Sequence, residues 1–484
     1  MCGIIGVWKN EIGVKNTLYY GLIELQHRGQ EANGVVVFDG INFNLVKYKG
    51  LVTEKKLEDY PEGILGIGHL RYSTIGKKEI LIDRFAQPSI LYTVKNGLSL
   101  CHNGNIVNYS ELEEELKRKG NLFQTDADHE VILHILAEEL KNNKTLEEAV
   151  NTCMNKLEGA YSVIGITGNN ELFAFRDRYG IHPLVYGMNE NSFIIASETP
   201  ALIKNNVRKY FSVKPGELIT IKDWSIKKKQ IVKATPKPCM FEFVYFSRPD
   251  SVIDGKSVRE ARFNLGKNMA LEYSLKNKIE PKSIDYDFIS PIPDTSRTAA
   301  EGINEITGLP IREALIKNRY IPRTFIMPKD RSKAVKSKLS IMKDVIFNKK
   351  ILFVDDSIVR GNTSKTIIEM VKEAKPKKIG LWITCPKIIA PCYYGIDMRD
   401  YKEFVAFEKN VEEIKEYIGV NELFYTSRDC LKKSLGLEDI CESCITNKYF
   451  TPLAKEKAKE QMKWINAVKK RKRTISTKLS LNHT

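Results

Sequence analysis

Hydrophobic and polar positions change their rhythm about halfway along the chain. Up to about residue 230, short apolar runs with alternating positions predominate, as in Gly34–Phe38 and Tyr161–Ile166, and such runs predict β-strands. Apolar residues at helical spacing interrupt them at 110–119 and 128–140. Strands that alternate with helices laid over them predict a layered α/β architecture for this half.

From about residue 258 onwards, helical and strand patterns take turns. The predicted helices are 258–274, 298–307 and 364–374, and the predicted strands are 286–290, 350–354 and 378–384. This repetition predicts a parallel sheet that is covered on both faces. The polar, proline-bearing stretch Lys233–Pro238 is interpreted as a linker. We therefore predict domains at 2–232 and 233–450, followed by a charged helical tail at 451–484.

Composition narrows the class of protein. The 484 residues are 42% hydrophobic and 28% charged, which excludes disordered and fibrous chains. No apolar run reaches the length of about 18 residues that a membrane helix needs, and no signal peptide is recognised at the start. We expect a soluble, cytoplasmic protein that does not contact a membrane.

Charge and cysteine content add two further expectations. The net charge is +16, and the basic run Lys469–Arg473 lies near the end of the chain. This run is typical of a solvated tail. Positive charge alone does not indicate nucleic-acid binding, because basic surfaces also attract small phosphorylated substrates, and we predict no nucleic-acid partner. Nine cysteines, an odd number, argue against a disulfide framework and leave thiols for nucleophilic or metal chemistry.

A cysteine at position two is a candidate nucleophile. Once the initiating methionine is removed, Cys2 would carry a free α-amine, whose pKa of about 7.7–8.0 lets it take the thiol proton. An amide hydrolase also needs a guanidinium for a substrate carboxylate and a carboxylate for its ammonium, which Arg71 and Asp128 can supply. Asn103 and the amide of Gly104 can donate to an oxyanion. Each of these residues alone is equally a turn residue, but together they indicate amide hydrolysis.

The stretch Lys350–Ser364 predicts a phosphate-binding site. An apolar strand ends in Asp355 and Asp356, and a glycine-bearing polar loop follows before a helix begins. Hydroxyl side chains at a helix N-terminus, with a glycine that lets the backbone approach closely, bind phosphate. The paired carboxylates can hold ribose hydroxyls, magnesium or both. This combination suits a phosphorylated sugar. The alternative is an ordinary helix-capping turn.

These motifs resemble two known families joined in one chain. Met1–Gly6, His69–Thr74 and His102–Asn105 are similar, in order, to the motifs of N-terminal-nucleophile glutamine amidotransferases, and Lys350–Ser364 is similar to the phosphoribosyl pyrophosphate (PRPP) motif of type I phosphoribosyltransferases. The junction Phe241–Ser251 is a further match. The chain is thereby identified as a member of the amidophosphoribosyltransferases, in their iron–sulfur-containing branch. The resemblance implies an αββα glutaminase sandwich followed by a type I phosphoribosyltransferase parallel-sheet domain.

The resemblance also implies a reaction and its residues. Glutamine, PRPP and water would give 5-phosphoribosylamine, glutamate and pyrophosphate in the first step of purine synthesis, with ammonia passing internally between the sites. Cys2 would attack glutamine, Arg71 and Asp128 would bind it, and Asn103 and Gly104 would form the oxyanion hole. PRPP would be bound by Asp355, Asp356, Ser357, Arg360, Gly361, Asn362, Thr363 and Ser364. Magnesium would be held by Thr295, Asp355 and Asp356.

Two segments of the PRPP half depart from the usual pattern or resemble a mobile element. Asn362 stands where amidotransferase members usually have threonine, and an amide can still donate to phosphate. The segment Lys317–Phe325 resembles a mobile loop that closes over PRPP. Closure would exclude water from the reacting centre.

The remaining cysteines leave several interpretations open. Cys441 and Cys444 form a C-x-x-C pair, which by itself is equally a zinc half-site or a redox pair. The resemblance implies instead a structural [4Fe–4S] cluster on Cys239, Cys392, Cys441 and Cys444. It also implies feedback inhibition by purine nucleotides and a homotetramer or homodimer. Two alternative functions are a sugar-phosphate aminating synthase and a PRPP-sensing regulator.

Overall fold

The N-terminal half folds as two antiparallel sheets packed face to face. The computed structural model describes residues 1–72, 86–92, 96–318 and 339–481, with side chains up to residue 468. In chain order, the strands of the two sheets are β1 (Gly3–Lys9), β2 (Ala32–Phe38), β3 (Phe43–Lys49), β4 (Leu65–Arg71), β5 (Ser89–Leu91), β6 (Leu98–Ile106), β7 (Gly159–Thr167), β8 (Glu171–Arg176), β9 (Val185–Met188), β10 (Ser192–Ala196), β11 (Lys209–Ser212), β12 (Glu217–Lys222) and β13 (Ser225–Gln230). Within the described residues, the first sheet runs β11-β9-β10-β1-β4-β2-β3 and the second β13-β12-β8-β7-β6-β5.

Helices cover the outer faces of both sheets. They are α1 (Val14–Glu24), α2 (Tyr109–Arg118), α3 (His129–Lys141), α4 (Leu146–Lys156) and α5 (Thr199–Lys204). Strand β1 shows why four layers form, because Ile4 and Trp8 pack between the sheets while Ile5 and Val7 pack against α1. Side chains on both faces of this strand are therefore buried, which requires a layer on each side.

The second half is built on a parallel sheet. Its strands and their flanking hairpins are β14 (Val252–Ile253), β15 (Lys256–Ser257), β16 (Phe288–Pro291), β17 (Leu315–Lys317), β18 (Leu339–Ile341), β19 (Lys350–Asp355), β20 (Lys378–Ile383) and β21 (Glu422–Tyr425). The helices are α6 (Val258–Asn277), α7 (Arg297–Thr307), α8 (Lys343–Ile346), α9 (Asn362–Glu373), α10 (Val405–Glu408), α11 (Val411–Ile418), α12 (Arg428–Leu435), α13 (Ser443–Thr446) and α14 (Pro452–Leu481). Strands β16-β19-β20-β21 pair in parallel, with apolar clusters on both faces. The predicted layered-plus-parallel architecture is confirmed.

Element boundaries differ from the sequence predictions in two informative places. Helix α9 begins at Asn362 rather than 364, because Gly361 takes a left-handed conformation (φ 78°) that starts the helix directly behind it. Strand β16 begins at Phe288 rather than 286. Only the first change lies at the predicted site, because the start of β16 is at the opposite, amino end of the parallel sheet.

Several predictions fall outside what the structure describes or tests. The closing loop proposed at 317–325 lies outside the described residues from 319 onwards, as do Ser73 and Thr74 and the side chains of the basic run 469–473. The domain boundaries stay a prediction. The tail is helical, and Glu158 of the sandwich accepts hydrogen bonds from the amides of Leu453 and Ala454 at the start of α14. Among the described helices, none combines the length and apolarity that crossing a membrane requires.

Candidate active site

Cys2 lies immediately before β1 of the first sheet and contacts β6 of the second. Its backbone N–H donates to Asn103 Oδ1 at 2.8 Å, and Asn103 is fully buried in β6. The side-chain amide nitrogen of Asn103 has no hydrogen-bond partner among the described residues. Next to it, a Cβ on Gly104 would lie 1.9 Å from the carbonyl oxygen of Ala160, so only glycine fits there. The predicted nucleophile and oxyanion donors therefore come together.

The two predicted glutamine-binding residues lie at the same end of the sandwich. Gly3 pairs with Leu70, so one further step of the antiparallel register brings Cys2 level with Arg71. Asp128 stands at the N-terminus of α3 and accepts from the amide of Ile106 at 3.0 Å. Its location is fixed by the strand that carries Asn103.

Asp128 is held ionised despite its burial. Burial alone would raise its pKa, but His102, whose Nε2 lies 3.4 Å from Asp128 Oδ2, and the amide of Ile106 bring the pKa below its ordinary value. A buried anion at this position suits an ammonium group. Burial also keeps the pKa of the neighbouring His69 and His129 low, so both are neutral at pH 7.

A buried ion-pair network, which we call the junction network, links Cys2 to the second half of the chain. Arg28 Nε donates to the carbonyl oxygen of Cys2 at 3.0 Å, and its Nη2 donates to Glu242 Oε1 at 2.6 Å. Arg28 also pairs with Glu198, which in turn pairs with His27 at 2.7 Å. Arg28, Glu198 and Glu242 are each at most 1% exposed. The nucleophile's backbone is thus held by a guanidinium that is anchored in both halves.

The electrostatics of this network are strong. Burial would raise the pKa of Glu242, but Arg28 and His182 lower it to about 2. Burial would likewise raise the pKa of Glu198, and His27 and Arg28 hold it far below its ordinary value. Both carboxylates are therefore charged throughout the physiological range.

The second half of the chain also packs directly on the oxyanion strand. Asn105 Nδ2 donates to the carbonyl oxygen of Tyr393 at 2.8 Å, and His182 Nε2 lies 2.6 Å from that of Tyr394. A Cβ on Gly395 would approach the backbone of Gly104 to 3.2 Å. The residues that follow Cys392 thus form the outer wall of the glutaminase site.

The second predicted site lies at the carboxyl end of the parallel sheet. Pro291 pairs with Val354, so the turn that carries half-buried Thr295 and the loop after β19 meet at one edge. Asp355 and Asp356 follow one another there. Burial and the neighbouring carboxylate of Asp356 raise the pKa of Asp355 well above its usual range. Two crowded carboxylates of this kind are relieved by a divalent cation.

Residues 356–361 connect β19 to α9, and the predicted site continues into the first turn of α9 at Ser364. Ser357 Oγ donates to Asp356 Oδ1 at 2.6 Å, and the carbonyl oxygen of Asp356 accepts from the amide of Cys385 at 2.9 Å. Gly361, Asn362 and Thr363 form the turn into the helix, whose first amides face the same edge. The predicted PRPP residues are thus brought together as one loop.

Four cysteines that are far apart in sequence gather behind this edge. The backbones of Cys239 and Cys441 form an isolated parallel β-bridge. Cys392 and Cys239 lie close enough to Cys444 to raise the pKa of its thiol, although burial raises it more. Burial is the largest cause that raises the pKa of each of the four thiols, and at each a backbone N–H favours the thiolate. One of these, the amide of Tyr394, donates to Cys392 Sγ at 3.3 Å. All are free thiols.

Cysteine sulfurs, such as those of these four residues, are the ligands that iron–sulfur clusters take. In the described part of the chain, no three Cys, His, Asp or Glu side chains converge closely enough to hold a single metal ion. Four thiols close enough to influence one another electrostatically are the number and type of ligand that a [4Fe–4S] cluster takes. Amides that point at sulfur stabilise the negative charge that cluster thiolates carry.

Known proteins match this chain over almost its full length. The glutamine amidotransferase domain family matches residues 69–204. The amidophosphoribosyltransferase of Methanocaldococcus jannaschii is 42% identical, over 94% of this chain and 99% of the relative, and that of Bacillus subtilis is 37% identical, over 93% and 94%. The solved structure of glutamine PRPP amidotransferase from B. subtilis, complexed with ADP and GMP, superposes with a TM-score of 0.84 at 37% identity, over 93% of this chain and 98% of that one.

The chain belongs to the amidophosphoribosyltransferase family. It is a glutamine-dependent transferase of the first step of purine biosynthesis, as the sequence predicts. The matches span the phosphate-binding half as well as the glutaminase half. The matches support neither a sugar-phosphate aminating synthase nor a PRPP-sensing regulator.

Sequence reasoning missed the junction network. His27 and Arg28 stand in a polar turn, and Glu242 stands in the junction motif Phe241–Ser251. The pairing of Arg28 with Glu242 was not predicted, because no spacing rule connects residues 214 positions apart. The one available signal was a glutamate embedded among aromatic residues at Phe241–Phe246, where an unpaired charge is costly.

Proposed function

We propose that the enzyme joins a Cys2-dependent glutaminase to a PRPP site at the loop after β19, and that ammonia passes between them inside the protein. Glutamine, PRPP and water are converted to glutamate, 5-phosphoribosylamine and pyrophosphate. The observation that carries the proposal is the contact of Cys2 with Asn103, whose amide nitrogen is buried and unpartnered within the described residues. Such an amide is poised to donate to a developing oxyanion.

The glutaminase step follows from this arrangement. Removal of Met1 would place the α-amine on the nitrogen that Asn103 Oδ1 already holds at 2.8 Å, next to the thiol of Cys2. The amine takes the thiol proton, the thiolate attacks the side-chain amide of glutamine, and ammonia leaves before water releases glutamate. Arg71 binds the α-carboxylate and Asp128 the α-ammonium.

The transferase step takes place at the carboxyl edge of the parallel sheet. The residues that bind PRPP are Asp355, Asp356, Ser357, Arg360, Gly361, Asn362, Thr363 and Ser364. Magnesium, held by Thr295, Asp355 and Asp356, would neutralise pyrophosphate charge when bound. The raised pKa of Asp355 supports this role, because crowded carboxylates gain most from a cation.

We infer that Cys239, Cys392, Cys441 and Cys444 hold a [4Fe–4S] cluster that is structural. Such a cluster would tie the linker, the strand edge and the C-terminal segment together. The residues after Cys392 wall the glutaminase site, so loss of the cluster would loosen the contact of Asn105 with Tyr393. With such a cluster, the chain would be a member of the iron–sulfur-containing branch.

We also infer regulation by purine nucleotides, which the ADP and GMP in the B. subtilis structure support. Assembly as a homotetramer or homodimer and a cytoplasmic location remain predictions from the sequence. We expect neither nucleic acid nor membrane as a partner.

A substitution at the nucleophile tests the proposal. Cys2→Ala is expected to abolish glutamine hydrolysis and to retain phosphoribosylamine synthesis from ammonium and PRPP. Glutamate release by the variant would refute the role of Cys2. Loss of the ammonia-dependent reaction as well would show that the two sites are not separable.

A further inference from the structure

The phosphate loop after β19 is held from outside by the segment 401–418. Arg360 pairs with Glu403, and the amide of Val405 donates to the carbonyl oxygen of Val359 at 2.9 Å. The third contact involves the first residue of α9, since Tyr417 Oη donates to Asn362 Oδ1 at 2.6 Å. Three consecutive parts of this segment therefore touch one short loop.

Tyr417 is fitted closely to the turn into the helix. A Cβ on Gly361 would lie 3.1 Å from Cε1 of the Tyr417 ring, so glycine here permits both the left-handed backbone and the approach of the ring. Lys365 Nζ lies 4.8 Å from the centre of the same ring. The phenol is thus held between residues one turn apart on α9, and its hydroxyl reaches the Asn362 side chain.

The hydrogen bond favours one orientation of the Asn362 amide, because a phenol hydroxyl donates more strongly than it accepts and here it donates to Oδ1. An amide side chain carries one acceptor and one donor group, so occupying the oxygen leaves the NH₂ group for other partners. Among the described residues, Asn362 Nδ2 has no partner. The reverse orientation would present the amide oxygen towards a phosphate, where like partial charges repel.

We infer that Tyr417 is a positioning residue that turns the Asn362 amide so that its NH₂ group donates to the 5′-phosphate of PRPP. This inference rests on the proposed function. It explains how asparagine serves where related amidotransferases have threonine. A threonine hydroxyl rotates and can donate without help, whereas an amide that can flip needs a partner to fix it.

The test is a double-mutant cycle on the full-length enzyme, with initial rates of pyrophosphate release at varied PRPP. Tyr417→Phe removes only the hydroxyl, and the KM for PRPP is expected to rise about 3- to 10-fold with kcat little changed, as for the loss of one hydrogen bond. Asn362→Ala, a substitution at an exposed position, should raise the KM for PRPP by a similar factor. In an Asn362→Thr background, Tyr417→Phe should change the KM less than about 2-fold.

Competing ligands separate local positioning from general distortion. Inhibition by ribose 5-phosphate should weaken in Tyr417→Phe by the same factor as the KM, whereas inhibition by pyrophosphate should not change. The control is Tyr425→Phe, which removes a buried hydroxyl without a partner in the described residues. It should change neither the KM for PRPP nor the inhibition by ribose 5-phosphate.

Three results would overturn the inference. The first is an unchanged KM for PRPP in Tyr417→Phe. The second is equal weakening of inhibition by ribose 5-phosphate and by pyrophosphate. The third is an equal effect of Tyr417→Phe on the KM when residue 362 is threonine. A wild-type enzyme that does not release pyrophosphate from PRPP would instead refute the proposed function. If Tyr417→Phe does not fold, as judged by thermal unfolding, Tyr417→Leu, which also lacks the hydroxyl, takes its place in the same cycle.

Discussion

Glu242→Gln tests the junction network most sharply, because it removes a buried charge and keeps the shape of the side chain. Glu242 is 1% exposed and accepts from Arg28 Nη2 at 2.6 Å and from Ser247 Oγ at 2.6 Å. The variant leaves Arg28 paired with Glu198 alone. We expect it to weaken both the fold and the hold on Cys2.

The size of the effect follows from the pKa of Glu242. Its fall from an ordinary 4.5 to about 2, at about 1.4 kcal/mol per pKa unit, corresponds to stabilisation of the ionised form by about 3 kcal/mol. Because the folded-state pKa is depressed, this stabilisation is fully present above pH 4.5 and is lost as the pH falls from 4.5 towards 2. Glu242→Gln should therefore lower the free energy of unfolding by about 3 kcal/mol at pH 7. The difference from wild type should shrink below pH 4.5.

The assay is urea unfolding, followed by circular dichroism, at pH 7, 5 and 3. Glu412→Gln, which removes an exposed partner of Lys415, is the matched control and should leave the midpoint unchanged. Glutamine-dependent activity of Glu242→Gln should fall more than ammonia-dependent activity, because Arg28 holds the carbonyl of Cys2. A pH-independent stability difference, or equal loss of both activities, would refute the reasoning.

Three further substitutions address the two sites and the cysteines. Asp128→Asn should raise the KM for glutamine at least about 10-fold, because an ammonium loses a charged partner, and leave ammonia-dependent turnover intact; an unchanged KM in glutaminase assays would remove Asp128 from the binding site. Asp356→Asn should abolish pyrophosphate release without lowering the unfolding temperature, and normal PRPP kinetics would contradict its role. Cys444→Ser should lower the iron and sulfide content of anaerobically purified protein below four per chain, whereas Cys153→Ser, at a thiol buried in the sandwich core, should not; equal iron contents would count against the cluster.

Much of the fold was predictable because its signals are local. Strand alternation around Tyr161–Ile166 and the apolar strand ending in Asp355 and Asp356 correspond to β7 and β19. The start of α9 was misplaced by two residues because it depends on the backbone conformation of Gly361, which a polar loop does not reveal. The spacing of apolar residues predicts the periodicity of a helix or strand, but it does not predict the φ angle of a single residue.

The candidate site divides in the same way. Asn103 and Gly104 are adjacent in sequence, and a strand necessarily keeps them together. The anchoring of Arg28 by Glu242, and of Asn362 by Tyr417, depends on packing between distant elements. Such pairs have no sequence period, so residues that position the reacting groups are found only once the fold is known.

Coupled product release is the measurement that tests the central claim most directly. Glutamate and pyrophosphate would be quantified from anaerobically purified protein given glutamine and magnesium, with and without PRPP. The account predicts equal amounts of both products and glutamate release that depends on PRPP. Glutamate without pyrophosphate, or pyrophosphate without glutamate, would contradict the claim that the two sites of this chain act as one enzyme.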